Sequence, residues 1–190
     1  MKRSLVDRNV RRLRVPRKGG HWSGEEGNSR WIPDRDALCP VGGRRRMTGA
    51  QLMRKFRFNC ITYSHGEPDF MPFADRKIGV VTLPMIPGER LGAAGSYALA
   101  RQQTLRCGRF RDEADLKRYM KTNNLVWHEC GDGHTMLAVP REINQAFVHT
   151  GAIGIARGME AFRRRWQKGR PMTVHRGSFG SRIVNIRCSR

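Results

Sequence analysis

Residues 124–152, NLVWHECGDGHTMLAVPREINQAFVHTGA, hold the side chains best suited to chemistry. His128 and His149 bracket an acid, Glu129, and an amide, Asn144. NLVWHE alternates as a strand does, CGDGH is a turn with Gly131 and Gly133, and TMLAVP is the returning strand. Pro140 fits the first turn of a following helix that carries Glu142, Asn144 and Phe147 and ends near Gly151. A hairpin of this kind holds one imidazole rigidly, where it can take a proton from an attacking water. The helix behind it offers ligands to a divalent ion that stabilises charge on a phosphate. On this reading His128 is the general base. Glu129 ligates the ion or orients an imidazole, and Asn144 and His149 are the helix-borne ligands. Asn144 and His149 lie about 140° apart on an ideal helix, so they converge only if the helix ends before His149. From spacing alone the same residues also read as a solvated hairpin.

Other segments must position this hairpin. Residues 19–46 read as a loop rich in Gly and Pro, pinned to a core by Trp22, Trp31 and Ile32. MTGAQLMRKFRF (47–58) has helical spacing with Thr48 as N-cap. NCITYSHGEPDFMPFA predicts a short strand, a turn and an aromatic anchor, in which Asp69 caps the turn. IGVVTLPMI is the clearest strand, residues 91–106 read as helical, and RDEADLKRYMKTNN is a charged helix capped by Asp112. Leu116, Tyr119 and Met120 share its inner face. Trp127 is expected in the core and His134 in solvent.

The charge narrows the partners. There are 37 Lys+Arg against 16 Asp+Glu among 190 residues, a net charge of +21. Such an excess favours polyanions through neutralised phosphates and released counterions. The clusters Arg44-Arg45-Arg46 and Arg163-Arg164-Arg165 are the expected phosphate contacts, which set affinity rather than sequence choice. The five cysteines are scattered without a C-x-x-C pair, which argues against a zinc ribbon or a dense disulfide scaffold. No stretch approaches the ~20 apolar residues needed to span a bilayer. The basic N-terminus lacks the apolar run of a secretion signal, so any export would use another route.

WHECGDGHTMLAVPREINQAFVHTGA resembles the core of HNH/endonuclease VII superfamily nucleases that serve as toxin domains of bacterial polymorphic toxins, in the group with a Trp-His-His or Trp-His-Glu motif. The matching residues are Trp127-His128-Glu129, Thr135-Met136, Val139-Pro140, Asn144 and His149-Thr150-Gly151. GHWSGEEGNSRWIPDRD (20–36) and GEPDFMPFA (66–74) are similar to flanking elements of such domains. Glu129 and Asn144 stand where many relatives carry histidine, and Ala152 where they carry glycine. The resemblance implies an α+β fold with a His-Me finger (ββα-metal) core, extended by further helices and short strands. It covers a nuclease toxin domain over 19–155, which lies between a basic leader over 1–18 and a basic extension over 156–190 that the charge pattern marks out. The implied activity is metal-dependent endonuclease cleavage, with DNA preferred and RNA possible. The expected site has His128, Glu129 and His149 as catalytic residues and Glu129, Asn144 and His149 as ligands. An amide in place of an imidazole favours Mg²⁺ or Mn²⁺, with Zn²⁺ or Ni²⁺ as alternatives. The biological reading is an antibacterial effector acting in the target-cell cytoplasm, neutralised by an acidic immunity protein. The alternatives are a non-catalytic basic nucleic-acid-binding derivative and, on charge alone, a ribosome-associated protein.

Overall fold

The computed structural model describes residues 14–149 and Gly151. Four short strands come first: β1 (Gly20–Trp22), β2 (Arg30–Pro33), β3 (Leu38–Gly42) and β4 (Arg45–Thr48). Helix α1 (Gly49–Phe56) follows, then β5 (Ile61–Ser64), β6 (Glu67–Pro68), a 3₁₀ turn (Met71–Phe73) and β7 (Val80–Thr82). Next are α2 (Ser96–Arg106), α3 (Glu113–Thr122), β8 (Leu125–Glu129), β9 (Thr135–Pro140) and α4 (Arg141–Ala146). The architecture is α+β. Three antiparallel sheets run β1-β2-β5-β6, β3-β4 and β7-β9-β8.

The β7-β9-β8 sheet is the middle layer, and its two-residue period sorts side chains onto two faces. Leu125, Trp127, Met136 and Ala138 point into a core shared with Ala100 of α2 and Leu116 and Met120 of α3. Leu137 and Val139 point the other way, into a core with Trp31, Ile61, Tyr63, Phe70, Ile143 and Phe147. Fully burying a residue such as Leu137 contributes about 1.5–3 kcal/mol, so each face is firmly held and the register with it. Among the described residues no helix is long and apolar enough to cross a membrane.

Most sequence-predicted elements appear where expected. Thr48 caps α1 in a reciprocal capping box with Gln51, and Asp112 caps α3 by accepting from the Asp115 amide. Trp127 is buried in the core. Two readings change. Residues 19–46 are not one loop but carry β1 to β3 and the start of β4 between turns: Trp31 and Ile32 lie on β2, and Trp22 packs edge-on against Trp31 and Tyr63. IGVVTLPMI contributes only three strand residues, at the edge of its sheet. Packing also begins before residue 19. Val15 lies in the second core, and the Trp22 indole donates to the Pro16 carbonyl at 3.1 Å. The 156–190 extension, including Arg163, Arg164 and Arg165, lies outside the described residues.

Candidate active site

The site is assembled on the face of β8 that carries His128. This imidazole is only 2 % exposed. Its Nδ1–H donates to Oδ1 of Asn144 at 3.1 Å, and its Nε2 faces Oε1 of Glu67 at 3.1 Å. Helix α4 ends at Ala146, and Phe147 is extended (φ −112°, ψ 108°). The chain therefore leaves the helix in time for His149 to turn back. The His149 and His128 ring centroids are 4.9 Å apart, and Phe70 packs edge-on against both. The Phe147 carbonyl accepts from Nδ1–H of His149 at 2.8 Å, which leaves Nε2 of His149 as the lone-pair nitrogen. Burial, then the charges of His128 and Arg90, hold His149 below the ordinary imidazole range against the opposing pull of the Phe147 carbonyl and Glu67. A neutral ring with an aimed lone pair is the form that accepts a proton or binds a cation.

Glu67 is placed by a tight hairpin. His65 and Gly66 both adopt positive φ (52° and 81°), as a two-residue turn with right-handed strand twist requires. Glu67 starts the return strand opposite Ser64. The β8–β9 turn passes close above it: a Cβ on Gly131 would meet the Glu67 carboxylate at 3.4 Å. That turn is itself fixed by Asp132, which accepts from the His134 and Thr135 amides and the Thr135 hydroxyl.

Glu129 does something other than expected. As His128's neighbour on a strand it points to the opposite face, into the α2–α3 side of the sheet. Its side chain is 1 % exposed. Oε1 accepts from the Ser96 hydroxyl at 2.6 Å, while Oε2 accepts from Nε and Nη2 of Arg90 at 3.0 and 2.9 Å. Both carboxylate oxygens are engaged, so Glu129 is corrected from metal ligand and imidazole orienter to the anchor of an arginine. Arg90 is half-exposed, and its Nη2 reaches the flank of the site: a Cβ on Gly151 would lie 3.7 Å from it and 3.8 Å from Cδ2 of His149.

Of the sequence-predicted residues, His128, Asn144 and His149 come together. Asn144 does so as the hydrogen-bond partner of His128. Arg44, Arg45 and Arg46 are exposed on the β3–β4 hairpin, which packs on α4 where Gly42 approaches Arg141 and Gln145. Asp69 caps its turn by accepting from the Met71 amide, and the His134 ring meets the Leu83 carbonyl. Sequence reasoning missed Glu67, Phe70, Arg90 and Ser96. The GEPDF string pointed to Glu67 and Phe70, whereas nothing in the sequence linked Arg90 to a residue 39 positions away.

Among the described residues no group of three or more His, Cys, Asp or Glu stands ready-spaced to hold a metal ion. The donor types nonetheless suit one. With Nδ1–H given to Asn144, Nε2 of His128 turns a lone pair toward a carboxylate oxygen at 3.1 Å. The two atoms are close enough to share a proton or a cation. Nε2 of His149 and the Glu67 carboxylate are a mixed N/O pair that a divalent ion could draw together beside His128.

No curated protein and no solved structure matches the chain. A family model does: residues 60–151, which take in β5 through α4 and every residue of the site above, match the DNase/tRNase domain of colicin-like bacteriocin, and this supports a nuclease toxin domain over that span.

Proposed function

We propose that the protein is an HNH-type endonuclease with a His-Me finger core built from β8, β9 and α4, hydrolysing phosphodiester bonds with a divalent ion and preferring DNA. The observation that carries this reading is the Glu67–His128–Asn144 chain, with His149 beside it at the end of a helix that stops short. Asn144 fixes the His128 ring and its tautomer, so that Nε2 is the atom to which a water proton passes. Glu67, with a side chain 24 % exposed against 1 % for His128, connects the buried imidazole to solvent. Glu67 and Nε2 of His149, with Nε2 of His128 adjacent, are the donors that would hold the ion. Such an ion supplies neutralisation of the phosphate and leaving oxygen. Arg90, gripped by Glu129, keeps its remaining N–H donors for a non-bridging phosphate oxygen. A basic nuclease toxin is consistent with an antibacterial effector acting in the target-cell cytoplasm and held in check by an acidic immunity protein.

One observation favours the second reading, a basic protein that binds nucleic acid without cutting it: among the described residues the candidate donors are not pre-spaced as a coordination shell. Supercoiled plasmid incubated with Mg²⁺, Mn²⁺, Ni²⁺ or Zn²⁺ separates the two. The proposal expects nicking and linearisation that EDTA stops. It also expects His128→Ala to abolish cleavage and to relieve toxicity in a host without an inhibitor. Absence of cleavage with all four ions, or a His128→Ala variant as toxic as the parent, would sink the hydrolytic reading.

A further inference from the structure

Before the first residue matched by the nuclease family, the chain builds a second basic feature. Helix α1 contains no acidic residue, and its last turn carries Arg54 and Lys55. Lys55 is spoken for by Glu142 of α4, at 3.0 Å. Arg54 and Arg57 instead line a cavity of about 490 Å³ with Arg35, Gln51, Phe58 and Asn59. No carboxylate lines it. Asp34 and Asp36 flank Arg35 in sequence, yet neither contributes to its wall. None of the three arginines forms an ion pair with a described residue, and all three side chains are exposed.

Three like charges around one concavity repel each other, and an anion at the centre reverses the sign of that energy. Guanidinium forks match phosphate oxygens in geometry. Phe58 connects the cavity to the site. One side of the ring lines the cavity, while the ring packs edge-on against Phe147 (5.7 Å) and Phe73 (5.5 Å). The Phe147 carbonyl holds His149. The cavity and the hydrolytic centre thus stand on either side of a shared aromatic wall. Phosphates recur along each DNA strand about every 3.4 Å of axis, so a strand held at the hydrolytic centre presents further phosphates to neighbouring basic surface.

We infer that the α1 cavity is a phosphate subsite for the substrate strand, in which Arg35, Arg54 and Arg57 grip a backbone phosphate away from the cleaved bond while Phe58 packs against the adjoining sugar or base. This deepens the nuclease reading and rests on it for the identity of the strand. The subsite lies at residues 35–59, ahead of the matched span of 60–151. An acidic patch on a partner protein is the competing occupant. The aromatic wall shared with the site favours the strand.

The test is equilibrium binding of labelled duplexes to the full chain carrying His128→Ala, which reads affinity without cleavage. In that background Arg54→Gln with Arg57→Asn removes two cations. Asparagine is chosen because Arg57 sits at φ 54°, a conformation it tolerates. Arg118→Gln with Lys121→Gln on α3 removes the same charge elsewhere and controls for long-range attraction. A long duplex should bind the α1 variant roughly tenfold more weakly, with the slope of log K against log salt reduced by about two. The α3 control should change less than twofold. A duplex too short to reach from the hydrolytic centre to α1 should not distinguish the α1 variant from its parent. Arg35→Gln, from a separate loop, should reproduce part of the loss, which guards against a folding defect in α1. Equal losses for the two charge pairs, an equal loss on the short duplex, or undiminished DNA binding with lost affinity for an acidic partner protein would each overturn the subsite. Binding that behaves as expected in a protein that cuts nothing would overturn the hydrolytic reading and leave the subsite standing.

Discussion

The Arg90–Glu129 pair makes an asymmetric demand on stability that double-mutant analysis can read. Its two members are buried very unequally: the Glu129 side chain is 1 % exposed and that of Arg90 50 %. Arg90→Ala strands a buried carboxylate. Breaking a buried pair from one side costs about 3–5 kcal/mol. Here the Ser96 hydroxyl and the N-terminus of α2, where Ser96 is the first helical residue, offset about 1 kcal/mol. The expected loss is about 2–4 kcal/mol. Glu129→Gln strands a guanidinium that already reaches water, so only charge-assisted hydrogen bonds are lost, about 1 kcal/mol. The double variant removes both charges and should be more stable than Arg90→Ala alone, because no unpaired buried charge remains. For a chain of this size each kcal/mol moves the melting temperature by about 2–4 °C, so thermal and urea unfolding resolve all three variants. Cleavage should fall in all of them, which shows that activity alone cannot assign the pair. If Arg90→Ala is no more destabilising than Glu129→Gln, or if the double variant equals the sum of the singles, the account of Glu129 as a buried anchor fails.

Other outcomes follow from the same geometry. Asn144→Ala frees the His128 ring and should lower the cleavage rate roughly tenfold to hundredfold, with Asn144→Asp recovering part of it; a rate equal to wild type would remove Asn144 from the mechanism. The Cys130 thiol is pushed up to about 12 by burial, then by the charges of Glu67, Asp132 and Asp69, so iodoacetamide at pH 8 should label exposed Cys107 and spare Cys130 until the protein unfolds. Mass mapping of the labelled peptides decides. For Glu142, burial acts upward, but the Lys55 hydrogen bond, its own backbone amide, the Lys55 charge and the Asn124 side chain together outweigh it and hold the carboxyl below the ordinary carboxylate range. A carboxyl lowered on folding contributes stability that is present above its unfolded value and lost as pH falls through the folded one. Lys55→Ala should therefore lower the melting temperature at pH 7 and converge with wild type toward pH 3; a gap that persists at pH 3 would deny the linkage.

Much of the fold was legible because local rules and global packing agree. The capping box at Thr48, the Asp112 cap and the alternation of LVWHE each state their element in a few residues. What escaped depends on contacts that sequence does not order. Residues 19–46 look like loop because strands of three to five residues, rich in Gly and Pro, carry little periodicity, and only pairing with β1 and β5 makes β2 a strand. The same limit governed the site. His128, Asn144 and His149 announce themselves within one supersecondary unit, and the condition on where α4 ends could be stated in advance. Glu67 comes from a different sheet and Arg90 from the segment between β7 and α2, so their approach is a tertiary fact. Glu129 misled for an instructive reason. Adjacent to His128 in sequence, it is its antipode in space, and strand alternation should have weighed against giving both residues one ion.

That back-to-back arrangement bears on when the proposed centre becomes complete. His128 draws its partners from the side closed by α4 and the N-terminal sheet, Glu129 from the side closed by α2. A chain with one flank assembled has either an oriented imidazole without its arginine or an arginine without the imidazole. Neither half has a complete centre. On the mechanism proposed above, the centre is complete only when both flanks have docked on the sheet.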